Sequence, residues 1–102
     1  MSAITEYTRR IPQEVRSILE VLGEPSRMGL LKALAEEREL SFRELQGLAK
    51  PLNASTLTYH LKALMKAGLV ENHYRKVEGK GDYSFYQLTG LAKEFMKRVG
   101  IA

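Results

Sequence analysis

Side chains that can hydrogen-bond nucleic acid recur at helical spacing in the second half of the chain. Residues three or four positions apart share one face of an α-helix, and here such a face comprises Ser55, Tyr59, Lys62 and Lys66, with Thr58 at its edge. Hydroxyl, aromatic and ammonium groups can bond phosphates and base edges, and this face carries no carboxylate that would repel a phosphate. The chemistry that the pattern favours is recognition of DNA.

The same segment contains the signals that position this face. Leu57, Leu61 and Leu64 follow one another at spacings of four and three, so they predict a buried stripe on the opposite side. Asn53 is suited to cap the first turn, and Gly68 is suited to end the helix in a left-handed conformation. The pattern therefore predicts an amphipathic helix over residues 53–66.

Proline and glycine mark the first two helices of the chain. One helix has Pro12 near its first turn and ends at Gly23. Its apolar stripe comprises Ile11, Val15, Ile18, Leu19 and Leu22. The next helix begins at Pro25 and ends at the acidic run 36–39. Its buried stripe is predicted to comprise Met28, Leu31, Leu34 and Ala35.

A third helix and a hairpin flank the amphipathic helix. Ser41 and Glu44 fit a capping box, and the helix that it opens is predicted to turn inward Phe42, Leu45 and Leu48. Pro51 breaks that helix. Residues 69–77 and 83–88 predict two strands joined by the turn 78–82. Thr89 then caps a last helix, whose apolar side comprises Leu91, Ala92, Phe95, Met96 and Val99.

This order of elements predicts a winged helix-turn-helix, a mainly α fold with a small β-hairpin. Three segments resemble ArsR-type transcriptional regulators. The opening motif of that family is similar to Leu22-Gly-Glu-Pro-Ser-Arg-Met-Gly-Leu-Leu-Lys-Ala-Leu34, and its recognition helix to Ser55-Thr-Leu-Thr-Tyr-His-Leu-Lys-Ala-Leu-Met-Lys-Ala-Gly-Leu-Val70. Residues 79–88, which close on Phe85-Tyr-Gln-Leu88, resemble its wing. The resemblance spans roughly residues 18–98, with the motifs in the order and spacing of the family.

The resemblance implies which residues contact DNA. The positions that the family aims into the major groove are occupied by Ala54, Ser55, Thr56, Thr58 and Tyr59, and Lys62 follows on the same side. The candidates for phosphate or minor-groove contacts are Lys66, Arg75, Lys76 and Lys80. The family also forms dimers through its first and last helices, and the apolar stripes of both helices are compatible with a homodimer. Two such recognition helices would lie about 34 Å apart in successive major grooves.

Composition and charge agree with one DNA-binding domain over residues 1–102. Apolar residues make up 44% of the chain and charged residues 27%, as in ordinary globular domains. The net charge of +4 is uneven, because residues 1–49 carry −1 and residues 50–102 carry +5. The chain has no cysteine, no signal peptide at its start and no apolar run long enough to cross a membrane. We therefore expect a cytoplasmic location.

Each candidate residue also has a structural alternative. Tyr59 is suited to packing against the wing as well as to contacting DNA. The basic residues of the hairpin would equally make an exposed hairpin soluble. His60 lies at the edge of the buried stripe, so we expect a hydrogen-bonded core histidine and not a ligand, and His73 is assigned no role. The metal sensing of some family members depends on paired cysteines, which this chain lacks, so no metal or other cofactor is expected.

The sequence favours a homodimeric regulator of transcription over the alternatives. It contains no phosphate-binding loop, no cysteine nucleophile and no serine elbow, so no catalytic residue is predicted. Repression by occluding a promoter is the simplest mode of action. The alternative is a winged helix that contacts other proteins of the transcription machinery, and binding of RNA or single strands by stacking on Tyr59, Tyr83 and Tyr86 ranks last. The operator, the target genes and any effector are not encoded in recognisable form.

Overall fold

The computed structural model describes residues 3–79 and 81–100. The helices are α1 Ala3–Arg9, α2 Gln13–Val21, α3 Pro25–Glu37, α4 Phe42–Leu48, α5 Ala54–Lys66 and α6 Gly90–Arg98. The strands are β1 Glu39–Ser41, β2 Val70–Val77 and β3 Gly81–Leu88. We call the hairpin of β2 and β3 the wing. Within this described part, no helix is long and apolar enough to cross a membrane.

Three helix starts are fixed by the side chains that the sequence predicts as caps. Asn53 Oδ1 accepts a hydrogen bond from the Thr56 N–H at 2.8 Å, which opens α5. Both bonds of the capping box are present in α4, with Ser41 Oγ accepting from the Glu44 N–H at 3.1 Å. Thr89 Oγ1 caps α6 by accepting a hydrogen bond from the Ala92 N–H at 3.1 Å. Gly68 has φ +78°, so the predicted left-handed end of α5 is also confirmed.

The three strands form an antiparallel sheet in the order β1-β3-β2. The register pairs Tyr86 with Leu40 on one side and with Asn72 on the other. The strand β2 ends at Val77 as predicted, whereas β3 begins two residues earlier than predicted, because its pairing with β2 continues to Gly81. The strand β1 was not predicted, since three residues become a strand only through the hydrogen bonds that β3 supplies.

A leucine-rich core joins α3, α4, α5, the sheet and α6. Its largest fully buried side chains are Leu31, Leu34, Leu45, Leu57, Leu61, Leu64, Leu69 and Met96. On α2, Ile18, Val21 and Leu22 pack against this core, whereas Val15 and Leu19 stay exposed. α5 lies across the core with its complete predicted stripe buried. The core therefore fixes the orientation of the opposite face of α5.

Several predictions at the edges of the fold are wrong. Met28 is 44% exposed, because α3 turns Leu30, Leu31 and Leu34 inward instead. Leu48 is 63% exposed, because α4 is only seven residues long and its fully buried side chain is Leu45. By contrast, the half-exposure of Leu91 and Val99 beside the buried Ala92 and Met96 agrees with the prediction, because the apolar side of the last helix was expected to exceed what one core can cover. The helix α1 was not predicted, and none of its residues is buried.

Candidate nucleic-acid interface

One side of α5 is apolar and buried and the other is polar and largely exposed, as the sequence predicts. Leu57, Leu61 and Leu64 are fully buried. The exposed side chains are Ala54, Ser55, Tyr59, Lys62 and Lys66, and Thr56 and Thr58 are half-buried at the margins of this surface. We call the surface formed by Ser55, Thr58, Tyr59, Lys62 and Lys66 the polar face of α5. It bears hydroxyls, one phenol and two ammonium groups, which suits it to phosphates and base edges.

His60 lies beneath the edge of this face and belongs to the core. Its side chain is buried, and its Nδ1 accepts a hydrogen bond of 3.0 Å from Arg27 Nε of α3. The prediction of a hydrogen-bonded core histidine is therefore confirmed. Among the described residues, no three His, Cys, Asp or Glu side chains form a group that could hold a metal ion.

The ring of Tyr59 contacts Arg27 and His60 at the edge of the core, and not the wing. The guanidinium carbon of Arg27 lies 5.5 Å from the centre of the Tyr59 ring, and the His60 ring meets the Tyr59 ring edge-on at 5.8 Å. Tyr59 nevertheless remains 65% exposed. These contacts do not support packing of Tyr59 against the wing, and they leave most of the ring open to a ligand.

The basic residues of the wing differ in the contacts that they make within the protein. Arg75 forms an ion pair with Glu39 of β1, and its guanidinium carbon lies 4.1 Å from the centre of the Phe85 ring. Part of its hydrogen-bonding capacity is thus already used within the protein. Lys76 is exposed, and neither an ion pair nor a hydrogen bond engages its ammonium group in the described part of the chain. Lys80 lies outside the described residues.

Three exposed side chains that were not predicted can also contribute to a DNA interface. Tyr74 is 74% exposed on β2 and shares a strand face with Val70 and Asn72. Alternate residues of a strand share a face, so counting from Val70 would have placed Tyr74 on the same face of the wing. Val70 is buried on this face, whereas Tyr74 is exposed. Arg43 on α4 and Lys50 in the turn before α5 are also exposed. Their signal was their place in a helix-turn-helix, where the first helix and the turn approach the DNA backbone.

Comparisons with known proteins agree with this architecture. The family model described as "Helix-turn-helix domain" matches residues 22–73, from before α3 into β2. An uncharacterized HTH-type transcriptional regulator of Methanocaldococcus jannaschii is 32% identical over 89 residues, which cover 85% of this chain and 92% of that protein. The chain belongs to the helix-turn-helix transcriptional regulators. Members of this family bind DNA and are not enzymes.

Solved structures of helix-turn-helix regulators share the whole fold. A transcriptional regulator homologue from Pyrococcus horikoshii superimposes with a TM-score of 0.68 at 25% identity, covering 88% of this chain and 90% of its own. HlyU from Vibrio cholerae gives 0.68 at 26% identity, with coverages of 84% and 87%. A regulator of the MarR family from Enterococcus faecalis gives 0.71 at 16% identity, with coverages of 89% and 82%. The predicted winged helix-turn-helix is thereby confirmed.

Proposed function

We propose that this helix-turn-helix regulator is a homodimer that binds a specific duplex sequence, with α5 in the major groove and the wing along the backbone or minor groove. The observation that carries the proposal is the polar face of α5, which is exposed and free of carboxylates while its opposite stripe is fully buried. Residues 1–102 would act as one DNA-binding domain. Repression is the simplest mode of action, because a protein bound to a promoter excludes the polymerase.

The residues of the interface divide by what they can contribute. The groups nearest the bases would be Ala54, Ser55, Thr56, Thr58, Tyr59 and Lys62. Phosphate contacts would come from Lys66, Lys76, Lys80 and from Arg75 once it leaves Glu39. Arg43, Lys50 and Tyr74 extend the same surface in this proposal. Phosphate contacts supply affinity, whereas groups on the bases supply selectivity.

The homodimer is supported by apolar surface that the monomer leaves uncovered. The exposed side chains on and between α1 and α2 are Ile4, Tyr7, Ile11, Val15 and Leu19. Met28, Leu91 and Val99 add exposed apolar surface on α3 and at the ends of α6. The radius of gyration is 15.6 Å, against about 13 Å for a compact chain of this length. A two-fold dimer through α1, α2 and α6 would cover these residues.

Affinity selection from a random duplex pool tests the proposal most directly. A specific homodimer is expected to enrich a pseudo-palindrome whose half-sites are about one helical turn apart. Titrations of the enriched duplex at two salt concentrations should show a steep loss of affinity with salt. Enrichment of a single half-site would contradict the dimer but keep DNA binding. Absence of binding at low salt would contradict duplex recognition and favour a winged helix that contacts other proteins.

A further inference from the structure

The side chain of Arg27 joins three parts of the molecule at the edge of the polar face of α5. Arg27 lies in the first turn of α3, outside the helices that form the helix-turn-helix proper. Its Nε donates to His60 Nδ1 at 3.0 Å, and its Nη1 donates to the carbonyl oxygen of Val21 at 3.3 Å. We infer that Arg27 is a positioning residue for DNA recognition, which holds Tyr59 and His60 of α5 in one orientation.

The hydrogen bond from Arg27 sets the tautomer of the His60 imidazole. Arginine is always a donor, so Nδ1 of His60 must present its lone pair, and the proton of the neutral ring must lie on Nε2. The bond therefore holds the neutral ring in one tautomer and one orientation as long as Arg27 is in place.

The same guanidinium supports Tyr59 from the protein side. Its carbon is 5.5 Å from the Tyr59 ring centre, within the range of a cation–π contact. The His60 ring supports a second edge of the phenol at 5.8 Å. An exposed tyrosine without such contacts would lose rotamer freedom on binding DNA. Arg27 thus orders Tyr59 before DNA arrives, and this step depends on the proposed function because it takes Tyr59 as a DNA contact.

Lysine cannot replace Arg27 in this role. The three contacts need a planar group that donates through Nε and Nη1 in fixed directions, and an ammonium group offers a single donor centre on a flexible stem. Arg27→Lys keeps the charge near the DNA, so its effect isolates positioning from electrostatic attraction. Arg16→Lys is the matched control, because Arg16 also donates through Nε, to the Ile11 carbonyl, but within the N-terminal segment.

Nitrogen-15 NMR of the His60 ring tests the geometry without DNA. In the unaltered protein we expect a non-protonated Nδ1 and a protonated Nε2, and Arg27→Lys should give mixed tautomers while Arg16→Lys changes nothing. Mixed tautomers in the unaltered protein would overturn the inference. Circular dichroism of both variants confirms that the fold is retained.

DNA binding tests the positioning role. With the duplex enriched by selection, Arg27→Lys should weaken binding by about tenfold, and with random duplex it should leave affinity nearly unchanged. In a Tyr59→Ala background the Arg27→Lys change should have little further effect on selectivity, since the two residues act together. Equal loss on both duplexes would instead make Arg27 a direct phosphate contact, and no loss on either would leave it purely structural; both results overturn the inference. If the unaltered protein binds no duplex, the proposed function itself fails, whatever the NMR result.

Discussion

Tyr59 and Lys62 lie about one helical turn apart on the polar face of α5, and they differ in what they can contribute to DNA binding. The ammonium group of Lys62 can neutralise one phosphate regardless of sequence. The ring of Tyr59 can contact a thymine methyl or stack, so its contribution depends on the bases that it meets. At the scale of single residues, affinity and selectivity are therefore separable by mutation.

Lys62→Ala should lower affinity for both the selected and the random duplex by a similar factor. The slope of log affinity against log salt should fall by about one, because one fewer counterion is released. Fluorescence anisotropy titrations at four or more salt concentrations measure both quantities. Lys97→Ala removes the same charge from an exposed position and serves as the control, because helical spacing places Lys97 on the side of α6 away from the apolar Leu91 and Val99. An unchanged slope for Lys62→Ala would show that Lys62 does not touch a phosphate.

Leucines one turn apart on α4 should differ sharply in their effect on stability. Leu45 is fully buried, so Leu45→Ala should lower the free energy of unfolding by about 2–5 kcal/mol. Leu48 is 63% exposed, so Leu48→Ala should change that free energy by at most about 0.5 kcal/mol. Urea denaturation followed by circular dichroism gives both values. Similar losses for the two variants would mean that Leu48 is covered in solution.

At the scale of elements, the ion pair between Arg75 and Glu39 links the wing to the edge strand β1. The two residues lie on strands that flank β3, and the guanidinium also covers the Phe85 ring of β3. Both side chains are about half-exposed, so the pair contributes little to stability. Its greater consequence is that it occupies the charge of Arg75, which would otherwise be available to a phosphate.

Glu39→Gln should therefore raise affinity for duplex DNA. The amide that replaces the carboxylate cannot hold Arg75 by charge, so the guanidinium becomes available and the salt slope should increase by about one. Glu37→Gln makes the same change in net charge at an exposed position of α3, and comparison with it separates the release of Arg75 from a general effect of charge. Anisotropy titrations give the result. Equal gains for the two variants would refute a specific role of the Arg75–Glu39 pair.

At the scale of the whole molecule, the uncovered apolar surface predicts the oligomeric state. The exposed apolar side of α2 faces away from the core that Ile18, Val21 and Leu22 join. Burying one large aliphatic side chain stabilises a complex by about 1.5–3 kcal/mol. The proposed homodimer requires that several such residues on each protomer together outweigh the cost of bringing two chains into one complex.

Leu19→Glu should convert the proposed dimer to a monomer, since the interface would bury an unpaired carboxylate. Leu48→Glu is a matched control, because Leu48 is 63% and Leu19 58% exposed in the monomer, but Leu48 lies on α4, outside the proposed interface. Sedimentation equilibrium measures the mass of both variants. A Leu19→Glu protein that stays dimeric, or a Leu48→Glu protein that dissociates, would contradict an interface through α2.

The sequence by itself determined the parts of the fold that depend on neighbouring residues. Caps, turns and amphipathic stripes act within a few positions, so Asn53, Ser41, Thr89 and Gly68 could be assigned from the chain alone. The polar face of α5 was predictable for the same reason, because helical periodicity alone separates it from the buried leucines.

Only the tertiary structure decided which distant groups meet. The hydrogen bond from Arg27 to His60 spans 33 positions, and the ion pair of Arg75 with Glu39 spans 36. No local sequence pattern predicts contacts between residues so far apart in the chain. The strand β1 forms only because it pairs with β3. The exposure of Met28 and Leu48 depends on how the neighbouring helices pack. Local rules thus specified the polar face of α5, whereas packing between elements determined how that face is held and whether the charge of Arg75 is paired.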